Sequence, residues 1–380
     1  MNSKANNSKI KLAIIGGGKN SAVGYAHLSA LFLTNKFEII AACFSRHSDV
    51  NTESANFYNI KDLRLYNTFE ELISEEKSNL DCVLLLTPTD SHFNCIKTCL
   101  NNNLSVICEK AITSTLEQAI EIRDILSQKQ LFFSVIYNYI GYPMIRELRN
   151  MIDEGQLGTI NQILIEMPQE GFLKTKNGNI IKPQEWRLKD NTIPTLSLDL
   201  GVHLHIIIRY LTQKKPLEAI AIYNTYGNFE GIVDDLNCFI KYEDKLTCNM
   251  WYSKVALGYR NGLKVRVFGS KASAEWYQED SEILKLANQE GHRWVLDRGV
   301  NTIKIANQER YTRFKVGHPA GFIEALANYY EDIVQDFINY KEEPSVKNTF
   351  SFGIDESIEG LDLLNTLSVS AKTTGWVKIK

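Results

Sequence analysis

The stretch SLDLGVHLH, residues 197 to 205, sets an aspartate beside two of the chain's seven histidines. Asp199 and His203 are four apart, which on a helix puts them about 40° from one another on one face. A carboxylate beside an imidazole can take and hold a proton near neutral pH, because histidine's ordinary pKa is about 6.5. The same residues also read as an aspartate near a helix start next to a histidine that packs. A second chemical signal lies near the start, where KLAII runs into Gly16-Gly17-Gly18-Lys19-Asn20-Ser21-Ala22-Val23-Gly24 and then into the helical pattern YAHLSALFL. Glycines between a first strand and a first helix let backbone approach a pyrophosphate, whose charge the helix N-terminus favours. The spacing is G-x-G-x5-G rather than G-x-G-x-x-G, so the strand and helix around it carry the reading more than the glycines do. After the second strand come Ser45 and Arg46, with no acid for a ribose 2′-hydroxyl. A small hydroxyl followed by arginine suits a 2′-phosphate, and one charge-assisted contact would favour NADP over NAD by roughly ten- to a hundredfold.

The elements that must position these residues follow from periodicity. KLAII (11 to 15), FEIIAAC (37 to 43), CVLLLT (82 to 87), LSVIC (104 to 108) and LFFSVI (131 to 136) are short, nearly unbroken apolar runs, as strands buried on both faces should be. Amphipathic stretches such as TLEQAIEIRDILSQK, with Thr113 and Ser114 available as caps, alternate with them. That order predicts an α/β, doubly wound parallel sheet. After residue 138 the rhythm changes to a helix from Pro143 to Gly155, a strand NQILIEM, an irregular polar stretch over 168–198 and the helix carrying His203. LEAIAIYNTY, LNCFIKY, LTCNMWY, LKVRVFG and ASAEW then read as strands joined by short turns, which predicts an α+β second half with an antiparallel sheet.

Composition bounds the partners. A 380-residue chain that is 44% hydrophobic and 23% charged has room for two domains with sizeable cores. With 42 basic and 45 acidic residues the net charge is −3, which offers no general attraction to nucleic acid or an anionic membrane and leaves a small molecule as the expected partner. Neither a cleavable leader nor a run of about 18 apolar residues is legible, so the cytoplasm is the expected compartment. The seven cysteines suit reduced thiols, and the absence of CxxC and HExxH predicts no metal site.

At Cys108-Glu109-Lys110 the sequence resembles the Gfo/Idh/MocA family of nicotinamide-dependent oxidoreductases. LLLTPTDSHFNCIKTCLNNNLSVICEKAITSTLEQA is similar to that family's segment from a threonine-proline turn to a glutamate-lysine-proline motif, and VIYNYIGYPMIRELRNMIDEGQLGTI to its crossover into a second domain. EWR (185 to 187), DLGVH (199 to 203), VFGSKASAEW (267 to 276) and GHPAGFIEALANYY (317 to 330) continue the resemblance in order. It implies a Rossmann domain over 1–137 that binds NAD(P), and a substrate-binding α/β domain over 138–380 whose open, mostly antiparallel sheet forms a homodimer or homotetramer face. It further implies a redox site between the domains.

Carried over residue by residue, the resemblance makes Lys110, Asp199 and His203 the catalytic candidates. Thr87, Pro88, His92, Glu109 and Lys110 join Gly16, Gly18, Gly24, Ser45 and Arg46, read above from the residues themselves, as cofactor candidates, and Tyr142, Trp186 and Arg187 become the substrate candidates. His205 gains no such role and reads as a structural histidine. Ala111 replaces the motif's proline, Pro194-Thr195-Leu196-Ser197-Leu198 replaces a glycine-rich approach to the aspartate, and Ile206 stands where an acid is frequent. These departures border the substrate pocket. The implied activity is hydride transfer between nicotinamide and a secondary alcohol or ketone of a sugar, sugar derivative or cyclic polyol, with His203 and Lys110 as alternative proton acceptors. A non-catalytic dinucleotide-binding sensor, and a glycoside hydrolase using transient NAD oxidation, are the competing readings.

Overall fold

The computed structural model describes residues 9–380. The chain begins with β1 (Ile10–Gly16), α1 (Gly24–Thr34), β2 (Phe37–Cys43), α2 (Ser48–Tyr58), β3 (Arg64–Leu65), α3 (Phe69–Glu76), β4 (Cys82–Leu86), α4 (Thr89–Asn101), β5 (Ser105–Glu109), α5 (Leu116–Lys129) and β6 (Phe133–Ile136). Next come α6 (Pro143–Asp153), β7 (Ile160–Pro168), a two-residue hairpin of β8 (Thr175–Lys176) and β9 (Asn179–Ile180), a π-helical turn over Ser197–Gly201, and α7 (Val202–Thr212). β10 (Pro216–Asn224), β11 (Asp235–Tyr242), β12 (Thr247–Ser253), β13 (Lys264–Gly269), β14 (Ala272–Tyr277), β15 (Asp280–Asn288) and β16 (Arg293–Asp297) follow, and α8 (Phe322–Glu342), α9 (Ile354–Thr373) and β17 (Val377–Lys378) finish the chain.

These elements form two compact units. The first comprises residues through Thr113, then Glu117–Asn138 and Phe322–Ser357; the second comprises Ser114–Leu116, Tyr139–Gly321 and Ile358–Lys380. The chain passes from the first unit to the second at Asn138 and Tyr139, and Phe322–Ser357 returns to the first unit. The physical reason is visible in the side chains. Tyr330 of α8 receives His27 of α1, its hydroxyl 2.8 Å from Nδ1, and its ring also meets Phe37. Asp336 accepts the amides of Thr349 (2.8 Å) and Ser351 (2.7 Å), which turns the chain so that Phe352 pairs with Val135 of β6.

All five apolar runs are strands of one parallel sheet, ordered β3-β2-β1-β4-β5-β6. β4 and β6 are buried at every residue, as expected when helices cover both faces. The order reverses between β1 and β4, and a doubly wound sheet opens a crevice at the carboxyl ends of the strands at such a point. β3 has no run of its own to announce it; it is a two-residue edge added to β2.

The second unit is built on a nine-stranded sheet, β16-β15-β14-β13-β7-β12-β11-β10-β17, antiparallel except where β7 runs parallel to β12. α7 packs on β7, and α6 on β14 and β15. β11 shows the resulting asymmetry: Leu236, Cys238, Ile240 and Tyr242 are buried while Asn237, Phe239 and Lys241 are exposed. Among the described residues no helix is long and apolar enough to cross a membrane, and all seven cysteines are free and buried.

Candidate active site

The glycine turn at the end of β1 is shaped by backbone contacts. Gly16 and Gly17 take positive φ, 82° and 72°, and bring the chain against the start of α1. A Cβ on Gly24 would lie 2.1 Å from Gly17 O and 2.7 Å from the Tyr58 hydroxyl, so only glycine lets the helix begin there. Tyr58 donates to Gly17 O at 2.8 Å, and the Ser21 hydroxyl accepts the amides of Val23 and Gly24 at 3.3 and 3.2 Å. Across the reversal point stands Thr87, whose hydroxyl is buried without a hydrogen-bond partner among the described residues. A turn opened by three glycines, a helix N-terminus and an orphaned donor fit a dinucleotide.

The other cofactor candidates are arranged around that turn. Ser45 is held at both backbone ends by the buried Asn51, which accepts Ser45 N (2.9 Å) and donates to Ser45 O (2.9 Å), while Arg46 beside it is exposed. Pro88 caps α4. His92 is buried, with its ring nitrogens 2.7 Å from Thr87 O and 2.8 Å from Ala111 O. It therefore joins the Thr87-Pro88 turn to the Lys110-Ala111 turn through backbone, and burial holds its pKa below the ordinary value against the pull of the two carbonyls. Glu109 stands 3.1 Å from His27 Nε2, and half-buried Lys110 precedes a cis peptide to Ala111.

In the second unit Asp199 lies on the π turn and His203 on the first turn of α7, so the helix expected from sequence is widened beneath the aspartate. π turns are rare and gather at functional sites. Gly201 permits this one to sit against the sheet, since a Cβ there would meet Leu364 at 2.8 Å and the Tyr252 hydroxyl at 2.9 Å. The Asp199 carboxylate is ion-paired to Arg187 and, at 2.8 Å, to Lys254. Arg187 lies over the Trp186 ring, 4.3 Å from its centroid, so one face of the guanidinium is taken by the indole and one edge by the aspartate. His203 is buried, and the Tyr139 ring meets it edge-on with centroids 4.7 Å apart. Tyr142 is buried against Trp276, its hydroxyl accepting Gln278 Nε2 at 3.1 Å.

Two models of one family cover most of this architecture: an oxidoreductase family with an NAD-binding Rossmann fold over residues 10–137, and the GFO/IDH/MocA C-terminal domain over 145–275. The chain belongs to the Gfo/Idh/MocA family of oxidoreductases. An uncharacterised oxidoreductase of Bacillus subtilis, YfiI, is 27% identical over 98% of this chain and 97% of its own. Glucose-6-phosphate 3-dehydrogenase of Bacillus subtilis is 23% identical over 73% of this chain and 77% of its own. Among solved structures, an inositol dehydrogenase homolog of Azotobacter vinelandii complexed with NADH and myo-inositol superposes with a TM-score of 0.88, at 25% identity over 98% of this chain and 100% of that one. The chain is thus a nicotinamide-dependent oxidoreductase with the family's two folds.

Family motifs did not announce the polar side chains around Asp199. Lys254 donates to Gln169 Oε1 (2.9 Å), Gln169 Nε2 to Asn261 Oδ1 (2.8 Å), and Asn261 Nδ2 to the Tyr139 hydroxyl (3.0 Å). The one sequence signal for Lys254 is a lone charge inside WYSKVAL. Asp190 likewise has no motif, yet it accepts Thr195 N and Val233 N, each at 2.8 Å, and so fixes the approach to the π turn. The adjacent acids Asp234 and Asp235 are both buried: Asp234 accepts Gly227 N (2.7 Å) and Asp235 accepts the Trp251 indole (2.9 Å). Burial raises the Asp234 pKa against its amide donors.

Proposed function

We propose that this oxidoreductase moves hydride between a nicotinamide cofactor and a secondary alcohol or ketone carbon of a sugar, sugar derivative or cyclic polyol. The observation that carries the reading is half-buried Asp199 and buried His203 four residues apart on one helical face, linked through Lys254 and Tyr139 to the amides of Gln169, Asn261 and Gln278 and the phenol of Tyr142. Amides and phenols both donate and accept, which suits a ligand bearing several hydroxyls. The relatives that act on glucose 6-phosphate or bind myo-inositol support the same class. In this reading the first unit holds the cofactor and the second supplies the substrate side.

A nicotinamide held by the glycine turn would supply the hydride acceptor for the alcohol carbon. His203 takes the hydroxyl proton, Asp199 orients the imidazole and stabilises its charged form, and Lys110 provides positive charge for the developing alkoxide. Lys110 is the alternative proton acceptor. Gly16, Gly18, Gly24, Thr87, Pro88, His92 and Glu109 line or brace the cofactor cradle, and Tyr142, Trp186 and Arg187 brace the substrate side. Arg46, exposed beside the backbone-pinned Ser45, favours NADP. The uncovered sheet face around Phe239 supports self-association into a homodimer or homotetramer.

The test is to follow reduced-nicotinamide absorbance with sugars, inositols and sugar phosphates. Turnover on one of these confirms the reading, and no reduction with any of them defeats it. Bond cleavage with no net cofactor reduction would transfer the case to the hydrolase. Titrating NAD and NADP against wild type and Arg46→Ala tests the cofactor preference, which equal affinities throughout would remove.

A further inference from the structure

Lys254 is 7% exposed, and a buried lysine is retained only where its ammonium is paired. Its backbone is fixed on both sides just past β12: its N–H donates to Asp234 O (2.7 Å) and its carbonyl accepts Phe172 N (2.9 Å). Gln169 is fixed in the same way, between Ser253 O and Ala256 N, each 2.8 Å away. The side chains therefore meet from rigid backbone. The ammonium touches Asp199 Oδ2 and Gln169 Oε1, and Arg187 addresses that same Asp199 oxygen.

The chain of bonds has a direction that Lys254 sets. An ammonium only donates, so Gln169 must present its oxygen to it and turn its NH2 toward Asn261. Asn261 then presents oxygen to Gln169 and its own NH2 to the Tyr139 hydroxyl, and the Tyr139 ring abuts His203. The circuit leaves Asp199 and returns at His203, two residues only four apart in sequence. We propose that Lys254 is a positioning residue: its ammonium, with Arg187, fixes the Asp199 carboxylate on the π turn and orients the amide relay that holds Tyr139 against the His203 imidazole.

This inference rests on the reading of Asp199 and His203 as the proton-handling pair. The full-length protein is assayed with its nicotinamide cofactor and whichever of the sugars, inositols and sugar phosphates the wild type oxidises. Lys254→Met is expected to lower kcat roughly thirtyfold with KM within about threefold and cofactor affinity unchanged, and Lys254→Arg to recover most of the loss. Because Lys254 acts through Asp199, Asp199→Asn/Lys254→Met should be no slower than Asp199→Asn alone. Losses that multiply in the double variant, or a Lys254→Met enzyme within twofold of wild-type kcat, overturn the proposal. If Lys254→Met does not fold, Lys254→Gln takes its place under the same criteria.

Histidine ring 15N NMR at one pH separates this proposal from the function it rests on. Lys254→Met should move the His203 nitrogens, identified with His203→Gln, and leave the other ring signals in place. Should the wild type oxidise none of the sugars, inositols and sugar phosphates, the proposed function fails, and the NMR result alone decides for Lys254: moved His203 signals uphold it, unmoved signals overturn it.

Discussion

The two candidate sites are made of different material. The cradle at Gly16 to Gly24 is a backbone object, shaped by positive φ, a missing Cβ and a tyrosine hydroxyl on a carbonyl. The Asp199 site is a side-chain object, in which Arg187, Lys254, Gln169, Asn261 and Tyr139 reach one another from distant points of the sequence. A backbone site tolerates exchange of its non-glycine side chains and fails when an atom is added to a glycine. A side-chain site fails when a single functional group is removed.

The largest effect expected from that contrast is at the proton-handling residues. His203→Ala should cut kcat by roughly a hundredfold or more with cofactor affinity kept, as should Lys110→Ala. Steady-state kinetics with a cofactor titration decide this, and near wild-type turnover removes the residue from the mechanism. Next is Gly24→Ala, where the new Cβ would overlap Gly17 O. A loss of about 3 kcal/mol in urea unfolding and weaker cofactor binding are expected, while Lys19→Ala in the same turn, whose amine pairs with exposed Glu53, should change affinity less than twofold. Equal tolerance at both positions would erase the contrast.

Two buried histidines sharpen it further. Both ring nitrogens of His92 meet carbonyls, whereas neither ring nitrogen of His205 has a hydrogen-bond partner among the described residues. Burial first, and then the nearby Arg209 charge, push the His205 pKa down to about 3. The unfolded chain takes up this proton near pH 6.5, so stability present above that pH is lost as pH falls toward the folded value. A loss on the order of 2 kcal/mol between pH 7 and pH 5 is expected from this group. Urea melts of wild type and His205→Leu check the difference; identical slopes with pH would refute it. A smaller loss of stability is expected for Tyr58→Phe, which removes one hydrogen bond to Gly17 O and should cost about 1 kcal/mol.

What was legible in the sequence follows the same division. The parallel sheet and the glycine turn are local patterns: buried strands read as apolar runs, and a turn between strand and helix carries its glycines in succession. β11 and β12 were readable because one face of each is wet and the residues alternate. The π turn was hidden, because an aspartate and a histidine four apart look alike on an α-helix and on its wider variant. Lys254 and Asp199 are 55 positions apart, and the packing of the π turn against β12 brings them together. The return of Phe322–Ser357 to the first unit was equally invisible, since nothing in an amphipathic helix names the surface it will cover.

That return has a consequence for how the protein comes into being. A nascent chain that has passed only residue 138 lacks the cover that α8 supplies for His27 and Phe37, and the strand-like partner of Val135 is still unmade. The nucleotide-binding unit is therefore completed late, its closing piece arriving after every strand of the nine-stranded sheet but β17 has been translated. A fragment cut at the apparent boundary is a half-clothed intermediate, not a portable module.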